Sequence, residues 1–195
     1  MVRYSMATLR YLTHPQVEID LTIPVTAWRL SELGRARAAR CLEQPWIVRV
    51  GRVISSPEAK ALEFARMIGG RLRLEVELRA DTGENDRAST GPLPPVEFAR
   101  LADRFFAEPS ESVAGWERAV DAQRRIAMAL ADLFAREDVP DVAIVGHGGV
   151  GTLWYCHLAG LPIDRRHDQP SQGHYFSVDV GTRRPLHGWR PIDGM

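Results

Sequence analysis

Two short apolar runs, each rich in strand-forming residues, stop at a histidine followed by turn residues: Leu9-Arg10-Tyr11-Leu12-Thr13-His14-Pro15 and Val142-Ala143-Ile144-Val145-Gly146-His147-Gly148-Gly149. Runs of this length bounded by Pro or Gly predict buried strands, and each histidine falls where its strand ends. In an open α/β sheet, functional groups collect in the crevice outside the carboxyl ends of the strands. Both histidines are therefore expected to share one pocket.

The segments between these runs alternate apolar and helical patterns in the rhythm of βαβ units, with no internal repeat. The first strand is expected over residues 8–13. A loop to Leu30 then leads to a helix capped by Ser31, with Glu32 in its first turn and its end before Pro45. The second strand is expected over Trp46–Ile54. A helix follows with Ser56 as cap and Pro57 at its first position, ended by Gly69-Gly70. A third strand over Arg71–Leu78 delivers the chain into a long polar loop, 81–92, the start of a lid-like insertion around 81–110. Helices are expected over Pro95–Ala107 and Glu111–Arg136, the second with a core stripe of Val113, Trp116, Val120, Ala127, Leu130 and Phe134. A fourth strand over Val142–Val145, a helix over Val150–Gly160 and an edge strand over His174–Val180 complete the pattern. The fold class expected is a three-layer α/β/α sandwich with a mostly parallel central sheet, and 195 residues suit one domain, 1–195.

Charge narrows the function. With 25 Lys plus Arg against 25 Asp plus Glu, the chain offers no global attraction for nucleic acid or an anionic membrane surface, so any anion site must be local. No stretch of about 18 apolar residues occurs and residues 1–6 lack the apolar core of a signal peptide, which points to a cytoplasmic protein. Cys41 and Cys156 fall on expected helices without CxxC spacing and read as buried thiols. Neither HExxH nor a carboxylate cluster is present, so no metal and no cofactor is expected. Five Trp and several exposed-looking apolar positions are compatible with a homodimer patch. Of the 25 basic residues only Lys60 is a lysine, and it falls in the first turns of the second helix.

The strand–turn–helix corners of such a fold place unpaired helix N–H groups beside the strand ends, a ready anion site. His14, then Ser55, Ser56 and Lys60, then the acidic loop, and finally His147 with Gly148 and Gly149 would converge there. Histidine, cationic donors and a carboxylate suggest phosphoryl chemistry on a small phosphorylated or anionic substrate. The residues alone leave the acid open among Glu75, Glu77, Asp81, Glu84 and Asp86. The run Gly146-His147-Gly148-Gly149-Val150-Gly151 fits GxGxxG, with Asp168 some 20 residues on. It comes too late in the chain, because a dinucleotide unit puts this turn after its first strand and adds further βαβ units behind it. No GxSxG elbow exists to expose a serine nucleophile.

The order strand–His14, Leu30-Ser31-Glu32-Leu33-Gly34-Arg35-Ala36-Arg37-Ala38, Ile54-Ser55-Ser56-Pro57 and Val145-Gly146-His147-Gly148-Gly149-Val150 resembles the histidine phosphatase (phosphoglycerate mutase-like) superfamily. The resemblance spans nearly the whole chain. It implies that His14 is the histidine that becomes phosphorylated, that His147 is the second pocket histidine binding the phosphoryl group, and that Glu84 is the proton donor. Thr13, Lys60, Arg87 and Gly148 would bind phosphate. The implied activity is a metal-independent phosphomonoester hydrolase working through a phosphohistidine. A mutase is disfavoured, since returning the phosphoryl group to substrate needs a long water-excluding cap and the 81–95 loop is short.

The sequence also departs from the family. Thr13-His14-Pro15 stands where the family has Arg-His-Gly, and Lys60 stands where its second pocket arginine falls. Charge is kept at Lys60, but the guanidinium fork is not. Losing one preorganised donor costs about 10²- to 10³-fold in rate, so an arginine from elsewhere, Arg87, Arg118 or Arg29, would have to replace it. The alternative is a catalytically weak or inactive relative that binds a phosphorylated or anionic ligand in the same pocket. His174, Asp168 and Gln169 are expected to serve the loop and edge strand.

Overall fold

The computed structural model describes residues 7–135 and 140–194; the reading of residues 1–6 and the end of the expected helix at Arg136 lie outside them. Strands β1 (Thr8–Thr13), β2 (Val50–Ser55), β3 (Val76–Leu78), β4 (Asp141–Gly146), β5 (His174–Asp179), β6 (Arg184–Pro185) and β7 (Arg190–Pro191) form one sheet. Its order is β3-β2-β4-β1-β5-β6, with β7 also paired to β5. The β1–β4, β2–β4 and β2–β3 pairs are parallel, and β5 runs antiparallel to β1.

The register explains why the two histidines meet. Thr13 pairs with Gly146, and Ser55 pairs with both Val145 and Leu78, so the carboxyl ends of four parallel strands stop at one level. His14 and His147 are the next residues after two neighbouring strands, and the His14 N–H still donates to the Gly146 carbonyl, 3.1 Å.

Strand alternation sorts side chains into two layers. Leu12, Val53, Ala143 and Val145 face one core with Phe64 and Ile68, while Leu9, Tyr11, Ile54, Val142 and Ile144 face another with Ile126, Trp154 and Phe176. Helices α1 (Glu32–Cys41) and α2 (Ala59–Leu72) cover the first layer, and α4 (Ala119–Ala129) and α5 (Gly148–Ala159) cover the second. This is the α/β/α sandwich the pattern implies. Helix α3 (Pro95–Ala107) packs Leu101, Phe105 and Phe106 against Val113, Trp116 and the start of α5.

Several boundaries move for local reasons. Ser31 does cap α1, its Oγ accepting from the Gly34 N–H at 3.1 Å. Helix α2 starts two residues later than expected, because Ser56 Oγ accepts from the Glu58 N–H and holds a turn ahead of it. It also runs through Gly69-Gly70: a Cβ on Gly69 would lie 2.7 Å from the Leu74 carbonyl, so that glycine admits the returning chain, and Arg73 takes the left-handed exit at φ 58°. The expected 71–78 strand is thereby cut to three residues. Residues 47–49 form a 3₁₀ turn, which delays β2 to Val50. The expected 111–136 helix breaks at Ala114 and Gly115, both at positive φ, into a 3₁₀ turn, α4 and a second 3₁₀ turn at Ala131–Phe134. Strand β5 is interior, bonded on both sides, instead of an edge.

Cys41 and Cys156 are free and buried. Among the described residues, no helix is long and apolar enough to cross a membrane, and no group of three or more His, Cys, Asp or Glu is arranged to hold a metal ion.

Candidate active site

A pocket of about 330 Å³ opens beyond the strand ends, lined by His14, Lys60, Glu84, Arg87 and Gly148 among others. Those five are expected site residues, brought together from β1, α2, the 81–94 loop and α5.

His14 follows β1 with its backbone pinned between Gly146 and Gly173. Its Nδ1 lies 2.9 Å from the Pro15 carbonyl, which can only accept, so the proton sits on Nδ1 and Nε2 carries the lone pair. Proline at 15 keeps this carbonyl although it replaces a glycine. Burial, and then the Lys60 ammonium, lower the His14 pKa to about 4, so the ring is neutral at pH 7.

His147 stands edge-on to His14, ring centres 5.4 Å apart, and is fully buried. Its Nε2 is 2.8 Å from Ser56 Oγ and 3.3 Å from a Glu58 carboxylate oxygen, which places its proton on Nε2. Burial lowers its pKa to about 3, against the pull of Glu58. The ring is held from Ser56 and Glu58 through Nε2, while its Nδ1 is buried without a hydrogen-bond partner among the described residues. Tyr11 fixes the backbone here: its hydroxyl donates to the His147 carbonyl and accepts from the His147 N–H, each 3.1 Å.

The glycines of the GHGGVG run have packing reasons. A Cβ on Gly146 or Gly151 would lie 2.3 or 2.4 Å from the Tyr11 ring or hydroxyl, and one on Gly149 would lie 2.7 Å from Glu84 Oε1. The spacing that mimics a dinucleotide fingerprint therefore lets Tyr11 and Glu84 approach α5.

Glu84 caps α5 from a distant loop. Its carboxylate accepts from the Gly149 N–H at 3.1 Å and the Val150 N–H at 3.0 Å, satisfying two free helix donors with a negative charge at the positive end of the helix. The Gly148 N–H has no acceptor among the described residues. Arg125 staples the Glu84 loop through the Asp81, Gly83 and Glu84 carbonyls. Of the other acidic candidates, Glu77 is bound to Arg52 and Arg79, and neither Glu75, Asp81 nor Asp86 lines the pocket.

Lys60 is buried in the first turn of α2, where a cation opposes the helix dipole, and Glu58 supplies the compensation. Its Nζ donates to Glu58 Oε2 at 2.5 Å and to the Val25 carbonyl at 2.9 Å. Sequence reasoning missed Glu58. Its second oxygen accepts from the Glu84 N–H at 2.8 Å, so one buried carboxylate ties together Lys60, His147 and the Glu84 loop. Burial alone would raise its pKa, but the His147 ring, the Lys60 ammonium and the Glu84 amide outweigh that and hold it at about 2. The signal in the sequence was its place, two residues before the only lysine.

Thr13 is not in the pocket. Its hydroxyl donates to Gln169 Oε1 at 2.6 Å and accepts from the His174 N–H at 3.0 Å, so it fastens β5 and the 169 loop to β1. Asp168 and Gln169 do line the pocket, contrary to the purely structural part expected of them. Of the three arginines that could replace the missing guanidinium, Arg118 is tied to Asp121 and neither it nor Arg29 lines the pocket. Arg87 does. It stacks over Phe98 and Trp116, 4.8 and 5.6 Å from the ring centres, and its guanidinium has no hydrogen-bond partner among the described residues.

The family model of the histidine phosphatase superfamily (branch 1) matches residues 16–184. The chain belongs to this superfamily. The match begins two residues beyond His14, so the divergent Thr13-His14-Pro15 segment lies outside it. No curated protein matches the sequence. Among solved structures, the mycobacterial glucosyl-3-phosphoglycerate phosphatase complexed with inorganic phosphate is 23% identical, with a TM-score of 0.78, over 96% of this chain and 99% of that one. A phosphoserine phosphatase mutant from Entamoeba histolytica in complex with phosphoserine is 17% identical, with a TM-score of 0.80, over 97% of this chain and 100% of that one. The same amoebal enzyme bound to 3-phosphoglyceric acid is 18% identical with a TM-score of 0.77, over 97% and 100%. These likenesses establish the histidine phosphatase fold.

Proposed function

We propose that the protein is a phosphomonoester hydrolase acting through a phosphohistidine at His14, with no metal in the reaction. The observation that carries this is the His14 ring, neutral and with its Nδ1–H given to the Pro15 carbonyl, which leaves Nε2 as a nucleophile at the pocket. Nε2 attacks phosphorus, the bond to the ester oxygen breaks, and the acid form of Glu84 gives that oxygen its proton. Water then attacks the phosphohistidine, Glu84 takes the water's proton, and phosphate leaves as His14 is restored. The free Gly148 N–H and the guanidinium of Arg87 hold the phosphoryl oxygens, with Lys60 behind them on Glu58. Insertion 81–110 acts as the lid, and the two free thiols suit a cytoplasmic setting.

Steady-state hydrolysis of a small aryl phosphate in EDTA, by wild type and His14→Ala, tests the reading. Turnover that survives EDTA and disappears in His14→Ala is the expected result. Turnover retained in His14→Ala, or none on any ester, overturns it.

A second reading has its own support. Thr13 replaces a clamping arginine and turns its hydroxyl away, while Lys60 is already neutralised by Glu58. A pocket so short of free positive charge suits a relative that binds an anionic ligand and turns it over slowly or not at all. Binding of phosphate or vanadate without turnover would favour this reading.

A further inference from the structure

Lys60, the only lysine, is spent on Glu58 and the Val25 carbonyl, which leaves Arg87 as the pocket cation without a carboxylate partner among the described residues. Two carboxylate residues, Glu84 and Asp168, also line the cavity. A ligand carrying a second negative charge beyond its phosphoryl group would meet those acids with one cation to answer it.

Apart from the Gln169 and Gln172 amides on the Asp168 side, the remaining walls are apolar. Val25 and Trp28 come from the loop after β1, and Leu93, Phe98 and Trp116 come from the segment around α3. Both indole N–H groups are already used: Trp28 donates to the Asp20 carbonyl at 2.8 Å and Trp116 to Thr90 Oγ1 at 3.0 Å. No indole donor is therefore left for a sugar hydroxyl. Phe98 and Ile19 line the cavity and are 37% and 56% exposed, so the apolar surface continues out to the mouth. Cavities of about 300 Å³ and more accommodate drug-sized ligands.

We propose that this pocket takes phosphomonoesters of a large apolar alcohol, aryl or branched-alkyl, carrying no second anionic group. The phosphoryl group sits at His14 with Gly148 and Arg87, and the alcohol lies between Trp28 and Phe98. This inference rests on the phosphomonoester reading above for its reacting group, but not on turnover.

The test is calorimetric binding to His14→Ala, which cannot form the phosphohistidine, with 1-naphthyl phosphate, phosphoserine and inorganic phosphate as probes. The naphthyl ester is expected to bind about tenfold or more tighter than either of the others. Phe98→Ala in the same background should erase that preference, read as the ratio of naphthyl ester to phosphate affinity, since loss of the ring beneath Arg87 acts on both probes alike. Should His14→Ala fail to fold, 1-naphthylmethylphosphonate on the wild-type protein gives the same comparison. Equal affinity for the three probes, tighter phosphoserine or no binding of the naphthyl ester overturns the inference. The preferred binding without hydrolysis by wild type overturns the catalytic reading alone and leaves the specificity standing.

Discussion

Glu58→Gln keeps the shape of a side chain that holds three site elements together and removes only its charge. The carboxylate accepts from Lys60 Nζ at 2.5 Å and the Glu84 N–H at 2.8 Å, and lies 3.3 Å from His147 Nε2. Holding this carboxyl at about 2 against an ordinary value of 4.5 contributes about 3 kcal/mol to folding at neutral pH. A buried ion pair broken on one side costs a similar ~3–5 kcal/mol. For a chain of this size each kcal/mol moves Tm by about 2–4 °C, so the variant should melt about 6–12 °C lower. Anion binding should move the other way. An anion about 5 Å from an ammonium at an effective dielectric of 20 gains ~3 kcal/mol, and Lys60 released from Glu58 should express part of it. Inorganic phosphate or vanadate should bind about 10- to 100-fold tighter, read by calorimetry at temperatures where the variant is folded. Unchanged or weaker phosphate binding by folded Glu58→Gln would refute the argument that Glu58 neutralises the pocket.

The remaining predictions concern the supports of the site and the core. Gly149→Ala puts a Cβ where Glu84 Oε1 lies, 2.7 Å away, and must push that flexible carboxylate off α5; turnover of an aryl phosphate should fall about tenfold or more while Tm changes by no more than a few degrees, since alanine favours the helix by about 1 kcal/mol. Tyr11→Phe orphans the buried His147 N–H and should cost about 1–3 kcal/mol in urea denaturation, with kcat falling as His147 loosens; an unchanged midpoint would show that the hydroxyl anchors nothing. Asp141→Ala leaves Arg10, 2.7 Å away and buried, without its carboxylate and should lower stability by about 3–5 kcal/mol. His14 is held at about 4 against 6.5, so the unfolded chain takes up its proton first; its share of stability is whole above pH 6.5 and is lost as pH falls toward 4, about 3 kcal/mol in all, and a denaturation midpoint flat from pH 7 to 5 would contradict the burial of His14.

Much of the fold was legible because the strands alternate strictly. Leu9, Tyr11 and Leu12, or Val142 through Val145, divide between two faces by period alone, and the turn residues after them mark where each strand stops. The helices were less legible at their ends. Gly69-Gly70 reads as a stop, yet the contact that demands Gly69 is with Leu74, farther along the chain. Leu72 could stay helical because Arg73 accepted the left-handed exit. Likewise the tail alternates as an edge strand does, and its interior place depends on β6 and β7 coming back to pair with it.

Of the pocket lining, His14, Lys60, Glu84, Arg87 and Gly148 could be picked out as candidates from local pattern and family resemblance, because each falls in or next to the segments that follow the strand ends. Which of them bears a free charge could not. Lys60 is neutralised by a residue two positions away only because both side chains are buried beside His147, where a carboxylate must find a partner or be expelled. Thr13 and Asp168 exchanged their expected parts through contacts distant in sequence: the Thr13 hydroxyl bonds Gln169 and His174, and Asp168, next to Gln169, lines the pocket. Residue types and their period along the chain determined the α/β sandwich and the meeting of two histidines at its crest. Long-range packing decided the polarity of the pocket, since burial fixes which charges are paired and which donors remain, and burial belongs to the folded whole.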